Sequence, residues 1–208
     1  MQGHPFTLVV ITRPVFFPGE AGCLEGLLAA GVEKLHLRKP GAGEDALEAL
    51  LKQLNPCWYP RLVLHGGREL QGLAARYVIP QVHCPLRELD SEGPLGIRHR
   101  YPLLSASLHS WEELKKMEVA GLSYVFMSPV FNSISKPGYT ANPSLLQRPA
   151  GPYPCKVIGL GGVDRDTIGE LVRGGWDGAA VLGWIWEQPG AVVERYEQLK
   201  NSISMNCL

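Results

Sequence analysis

The 208-residue sequence has no excess of either charge sign, with Lys+Arg and Asp+Glu at 20 each. Without a basic balance there is no global field to draw nucleic acid or an anionic membrane, so any anion has to be held locally. No apolar run approaches the roughly 18–20 residues of a membrane span. The opening "FTLVVIT" is too short for a signal core before it meets Arg13, and it reads as a first strand. There is no Cys-x-x-Cys pair, and the cysteines are odd in number: Cys23, Cys57, Cys84, Cys155 and Cys207. That pattern argues against a disulfide framework and for reduced thiols in a cytoplasm. No linker, repeat or low-complexity stretch divides the chain. One domain over 1–208 is expected, with its core at about 7–200.

What is present is alternation. Short apolar, β-branched runs recur at 7–12, 34–39, 61–66, 77–83, 103–107, 123–129, 156–162 and 178–183. Helical patterns lie between most of them. "AGCLEGLLAAG" stops on Gly31, and "EDALEALLKQL" repeats leucine at three- and four-residue steps. "SWEELKKMEVAG" opens with a capping box, Ser110 and Glu113, and closes on Gly121. "DRDTIGELVRGG" offers Asp164 as N-cap and Gly174 as stop, while the Pro/Gly-rich segments 84–102 and 140–152 give the weakest helical patterns. Eight strands with crossovers predict a single-domain (β/α)8 TIM barrel of the α/β class.

In such barrels the chemistry sits where strands end. That rule selects His36, Arg38, His65, His83, Ser107, His109, the stretch from Ser128 to Lys136, Gly161-Gly162 and Gly183. Period-two alternation puts His36 and Arg38 on one face of strand two, with Leu35 and Leu37 on the other. A charge inside a barrel needs a partner, so Arg38 is expected to meet a ligand or a carboxylate. The "GLGGV" turn after strand seven can bring backbone N–H groups to a phosphate, and Leu182-Gly183 after strand eight can complete the cradle. The competing reading is that these glycines only make tight turns. In "FMSPVFNSISKPGY", Ser133, Ser135 and Lys136 put three anion-holding groups on one loop, where a merely solvated loop is the alternative. His109 can carry a proton near neutral pH, or simply serve as a polar residue at a helix entry. His36, His65, His83 and His109 end four successive strands and could bind zinc. Against that, there is no paired His-x-His and no aspartate at those strand ends, so no metal is expected.

Taken in order, "HLRKP", "SLHSWEELKKMEVAGLSYVFMSPVFNSISKPGY", "VIGLGGV" and, more loosely, "GAAVLGWIW" resemble the thiamine phosphate synthase and TenI (thiazole tautomerase) family over about residues 7–200. The resemblance implies a barrel that handles a phosphorylated hydroxyethyl-thiazole; its synthases add a pyrimidine diphosphate with Mg²⁺. It further implies that Arg38 and Lys136 contact the anionic substrate, with Ser107, Ser133 and Ser135 beside them. Gly161 and Gly162 would hold the thiazole phosphate. The departures matter as much. His36 stands where synthases carry Gln, and Pro40 where they close the motif with Lys. His65-Gly66 replaces the Asn-Asp that begins the magnesium site, and Pro85-Leu86-Arg87 replaces a Gly-Gln-acidic stretch, leaving Glu88 or Asp90 as substitutes. The tautomerase branch keeps a Ser-x-His after strand five, where Ser107 and His109 stand.

The expectation is therefore a cytoplasmic enzyme of the tautomerase type. His109 would be acid and base, Lys136 and Arg38 the charge partners, and His36 part of the substrate wall. It would need no cofactor and no metal. The alternatives are a Mg²⁺-dependent thiamine-phosphate synthase and a non-catalytic barrel that binds thiazole phosphate. The expected partner is the small phosphorylated thiazole, with no nucleic acid and no membrane; a homodimer is left open.

Overall fold

The computed structural model describes residues 6–66, 70–86, 103–116, 121–132 and 141–207. Eight parallel strands close into a barrel in chain order: β1 (Thr7–Ile11), β2 (Lys34–Leu37), β3 (Leu62–His65), β4 (Gln81–His83), β5 (Leu103–Leu108), β6 (Tyr124–Met127), β7 (Lys156–Leu160) and β8 (Gly178–Val181). The ring is sealed by β8 against β1, from Thr7 opposite Gly178 to Val10 opposite Val181. Helices α1 (Glu20–Ala29), α2 (Glu44–Leu51), α3 (Gln71–Arg76), α4 (Trp111–Lys116), α5 (Pro143–Leu146), α6 (Ile168–Arg173) and α7 (Val192–Asn206) lie between or after the strands. The fold is the expected TIM barrel.

Alternation along each strand builds two cores. Outward residues such as Leu8, Leu35, Leu37, Leu62 and Leu64 join helix residues such as Leu24, Leu28 and Leu199 in the larger one. Burying each such leucine contributes roughly 1.5–3 kcal/mol. Val9, Ile11, Tyr124, Phe126, Ile158 and Ala180 fill the inside. Across the barrel from these, buried inward positions carry His36, His83 and Ser105 instead. That polar sector begins the site.

Element ends differ from the expectations in two places. The apolar run 77–83 yields strand only at Gln81–His83, because its first residues are a helix exit. Val78 takes φ 52, and Val78 N–H and Ile79 N–H donate to the carbonyls of Ala75 and Ala74, the paired bonds of a Schellman cap. α6 stops with Gly174 as its C-cap, as expected, followed by the left-handed Gly175 (φ 68), but its N-cap is Thr167 rather than Asp164. The helix expected from Ser110 to Gly121 is described as Trp111–Lys116; residues 117–120 lie outside the described residues.

Candidate active site

A cavity of about 480 Å³ opens at the carboxyl ends of the strands. It is bounded by Arg38 after β2, His65 of β3, His83 of β4, Ser107 and His109 at β5, the Gly161-Gly162 turn after β7, and Leu182-Gly183 after β8. The structure therefore brings ten of the residues selected from the sequence to one cavity: Arg38, His65, His83, Ser107, His109, Ser128, Gly161, Gly162, Leu182 and Gly183. His36 lies beneath, fully buried. Ser133, Ser135 and Lys136 lie outside the described residues, as do Glu88 and Asp90.

His109 is positioned from both sides. The capping box forms: Glu113 N–H donates to Ser110 Oγ at 3.2 Å, and Glu113 Oε2 accepts from the N–H groups of Ser110 and His109. This fixes the backbone at the strand-to-helix corner. The His109 ring then lies with Nδ1 2.8 Å from the Ser128 carbonyl oxygen. A carbonyl only accepts, so Nδ1 carries a hydrogen, which sets the tautomer of the neutral ring.

Arg38 is half-buried, and its backbone is pinned by Thr12, whose Oγ accepts from Arg38 N–H at 2.9 Å. Among the described residues no carboxylate pairs with its guanidinium. The neighbouring Lys39 does have a carboxylate. Its Nζ donates to Glu20 Oε1 at 2.5 Å and to the carbonyls of Arg13 and Val15, with both side chains buried. This strut ties the β2 loop to α1 and was not anticipated from the sequence.

The glycine turn serves two needs at once. Gly161 (φ 101) and Gly162 (φ 64) both occupy the left-handed region, and a Cβ on Gly162 would sit 2.4 Å from the Asn132 carbonyl. The turn therefore packs directly under the loop after β6, which also hydrogen-bonds to it through Phe131 N–H and the Gly161 carbonyl. The left-handed φ and the tight packing each require glycine here, with or without a bound phosphate.

The floor of the cavity carries a network that sequence reasoning noticed only as scattered strand-end histidines. His36 Nδ1 is 2.6 Å from His65 Nε2, and His36 Nε2 is 2.6 Å from Tyr124 Oη. His83 Nδ1 lies 2.9 Å from Ser105 Oγ, and His83 Nε2 lies 3.0 Å from Ser107 Oγ. Strand register makes the grouping: His65 pairs with His83, His83 with Ser105, and Ser105 with Tyr124. Aligning inward positions strand by strand would have revealed that row. Burial is the main cause that holds all three imidazoles neutral. It lowers His36 and His65 well below the usual value, each further depressed by His83, and takes His83 to about 3 with help from Arg38.

A family model described as thiamine monophosphate synthase matches residues 8–185. The chain belongs to that family. A thiamine-phosphate synthase of Methanoregula boonei is 26% identical over 166 residues, 79% of this chain and 77% of the relative. One from Rhodospirillum centenum is 28% identical over 188 residues, 88% of this chain and 90% of the relative. Among solved structures, a thiamine phosphate pyrophosphorylase of Bacteroides thetaiotaomicron superposes with a TM-score of 0.75 at 28% identity, covering 96% of this chain and 98% of that one. For a member of the thiamine monophosphate synthase family, the histidine floor is an unexpected donor set. Mg²⁺ takes hard oxygen ligands in a near-octahedral shell, whereas the cluster that could hold an ion among the described residues is three imidazoles without a carboxylate. The carboxylates on the opposite wall are already engaged: Asp164 accepts from the N–H groups of Asp166 and Thr167, and Glu187 pairs with Arg195. The described residues do not fit Mg²⁺.

Proposed function

We propose that this protein is a thiamine-biosynthesis enzyme that binds a phosphorylated thiazole in the barrel mouth and shifts a proton on its ring, with His109 as acid and base. The carrying observation is the 2.8 Å bond from His109 Nδ1–H to the Ser128 carbonyl, which occupies one ring nitrogen and supports Nε2, in a residue that lines the cavity, as the one that takes and gives the proton. Arg38 and Lys136 supply positive charge for the substrate's anionic groups, and the Gly161-Gly162 and Leu182-Gly183 turns supply backbone donors for its phosphate. No redox chemistry is required.

The names of the relatives favour a second reading, and kinship backs it better than the first: a thiamine-phosphate synthase that joins pyrimidine diphosphate to thiazole phosphate. That reaction expels diphosphate and calls for a divalent cation, for which the described donors are the wrong kind.

One pair of assays separates these readings. Wild-type protein is given a thiazole carboxylate phosphate tautomer, and separately thiazole phosphate plus pyrimidine diphosphate with and without Mg²⁺. The expected result is catalytic tautomerisation, reduced ~10²–10⁴-fold in His109→Asn, or about 2.7–5.4 kcal/mol of barrier. Thiamine phosphate formed in a chelator-sensitive reaction would establish the synthase instead. Saturable binding with no turnover in either assay would leave a carrier.

A further inference from the structure

From the geometry of the cavity floor we infer a binding site for a first-row transition metal ion of the zinc type, held by His36 Nδ1, His65 Nε2 and His83 Nε2. One ring nitrogen from each of the three lies within 4.8 Å of the other two. The outer nitrogens of two rings are held by hydroxyls, His36 Nε2 by Tyr124 and His83 Nδ1 by Ser105. Such outer partners fix which nitrogen of a ligating histidine faces the ion. The inner nitrogens of His36 and His65 are only 2.6 Å apart. Two lone pairs cannot face each other at that distance, so a proton sits between them, and a divalent ion takes that proton's place. The ring that carries it changes tautomer, the proton moving to its outer nitrogen (His36 Nε2, where the Tyr124 oxygen accepts it, or His65 Nδ1), so the rings stay neutral and no net proton is lost.

Two further movements complete the site. Ser107 Oγ, now 3.0 Å from His83 Nε2, gives way to the ion. The rings of His65 and His83 are stacked, with centroids 4.2 Å apart and planes at 16°, so ligation by both requires the His65 ring to turn. His65 borders the open cavity and has room to do so. Three neutral imidazoles leave an open fourth position toward the cavity, and they suit zinc-like ions rather than magnesium. With Arg38 beside it and no carboxylate in the cluster, that fourth ligand is water or an anion. This inference stands apart from the proton-shift reading, because it rests on binding alone.

The test uses tag-free, chelator-stripped wild-type protein titrated with Zn²⁺ against a chromophoric competitor, and with Co²⁺ for its visible spectrum. Expected are one ion per chain, the intense absorption of four-coordinate Co²⁺, and no comparable uptake of Mg²⁺. Tyr124→Phe should weaken Zn²⁺ binding about 10–100-fold through its second-layer role. His65→Asn, at the cavity wall, should weaken it at least as much, with folding checked by circular dichroism. Absence of stoichiometric Zn²⁺ binding in the wild type would overturn the inference, as would equal binding by wild type and His65→Asn, in which case exposed thiols such as Cys57 hold the ion.

Discussion

Val78 shows how much a single backbone angle can carry. α1, α3 and α6 end in the same paired-bond cap, with Gly31 at φ 103, Val78 at φ 52 and Gly175 at φ 68 in the left-handed position. Glycine adopts that region freely, while a β-branched residue is strained there by about 1–2 kcal/mol. The Val78 side chain is 80% exposed, so its removal forfeits little packing. Val78→Gly should therefore stabilise the protein by about 1 kcal/mol after the added unfolded-state entropy, raising Tm by roughly 2–4 °C. Thermal unfolding followed by circular dichroism checks this, and an unchanged or lower Tm would show that the turn is not strained. The sequence concealed this exit because Tyr77, Val78 and Ile79 have the composition of a strand; the helical bonds of α3 overrode their β propensity.

Among the elements, α1 and the β2 loop are joined by the Glu20–Lys39 pair. Burial pushes the Glu20 carboxyl up and the Lys39 ammonium down, each partly offset by the other. Removing one partner leaves a buried charge alone, at a typical loss of about 3–5 kcal/mol. Lys39→Met should show that loss at neutral pH in urea denaturation, and adding Glu20→Leu should recover most of it. The sign with pH follows. Without Lys39 the folded Glu20 holds its proton well above the ordinary 4.5, so the folded state binds more protons than the unfolded one. The deficit of Lys39→Met is then small below pH 4.5 and grows as pH rises through that window. A pH-independent deficit would mean that packing of the lysine stem, not charge, is what matters. Strand positions, the Ser110–Glu113 box and the pocket-facing Arg38, His109 and Gly161-Gly162 were legible locally, because each is set by residues within one element. Glu20–Lys39 and the His36–His65–Tyr124 chain were not, because they join residues 19 to 88 positions apart through register and helix docking.

For the whole molecule the decisive contact is the seam between β1 and β8. Gly178 faces Thr7 so closely that a Cβ would lie 2.2 Å from the Thr7 carbonyl oxygen. The obstacle is backbone, which cannot rotate aside as a side chain could. Gly178→Ala should destabilise the barrel by about 2–3 kcal/mol, in the range of an overpacked core, read as a lower denaturation midpoint. Stability equal to wild type would show that the seam can open locally at little cost.

The last turns also reach back over the seam. The Trp186 indole N–H donates to the Ile11 carbonyl at 2.7 Å, and its ring meets Phe17 edge-on. A chain made from its first residue onward therefore forms β1 long before its partner exists. At about 5–20 residues per second, the interval between Ile11 and Gly178 is roughly ten to thirty seconds. Throughout it, one edge of a strand that ends up wholly buried has no permanent neighbour, a state open to pairing with other chains. Crowded, simultaneous synthesis should therefore be where this protein is most easily lost to aggregation, even if the finished barrel is stable.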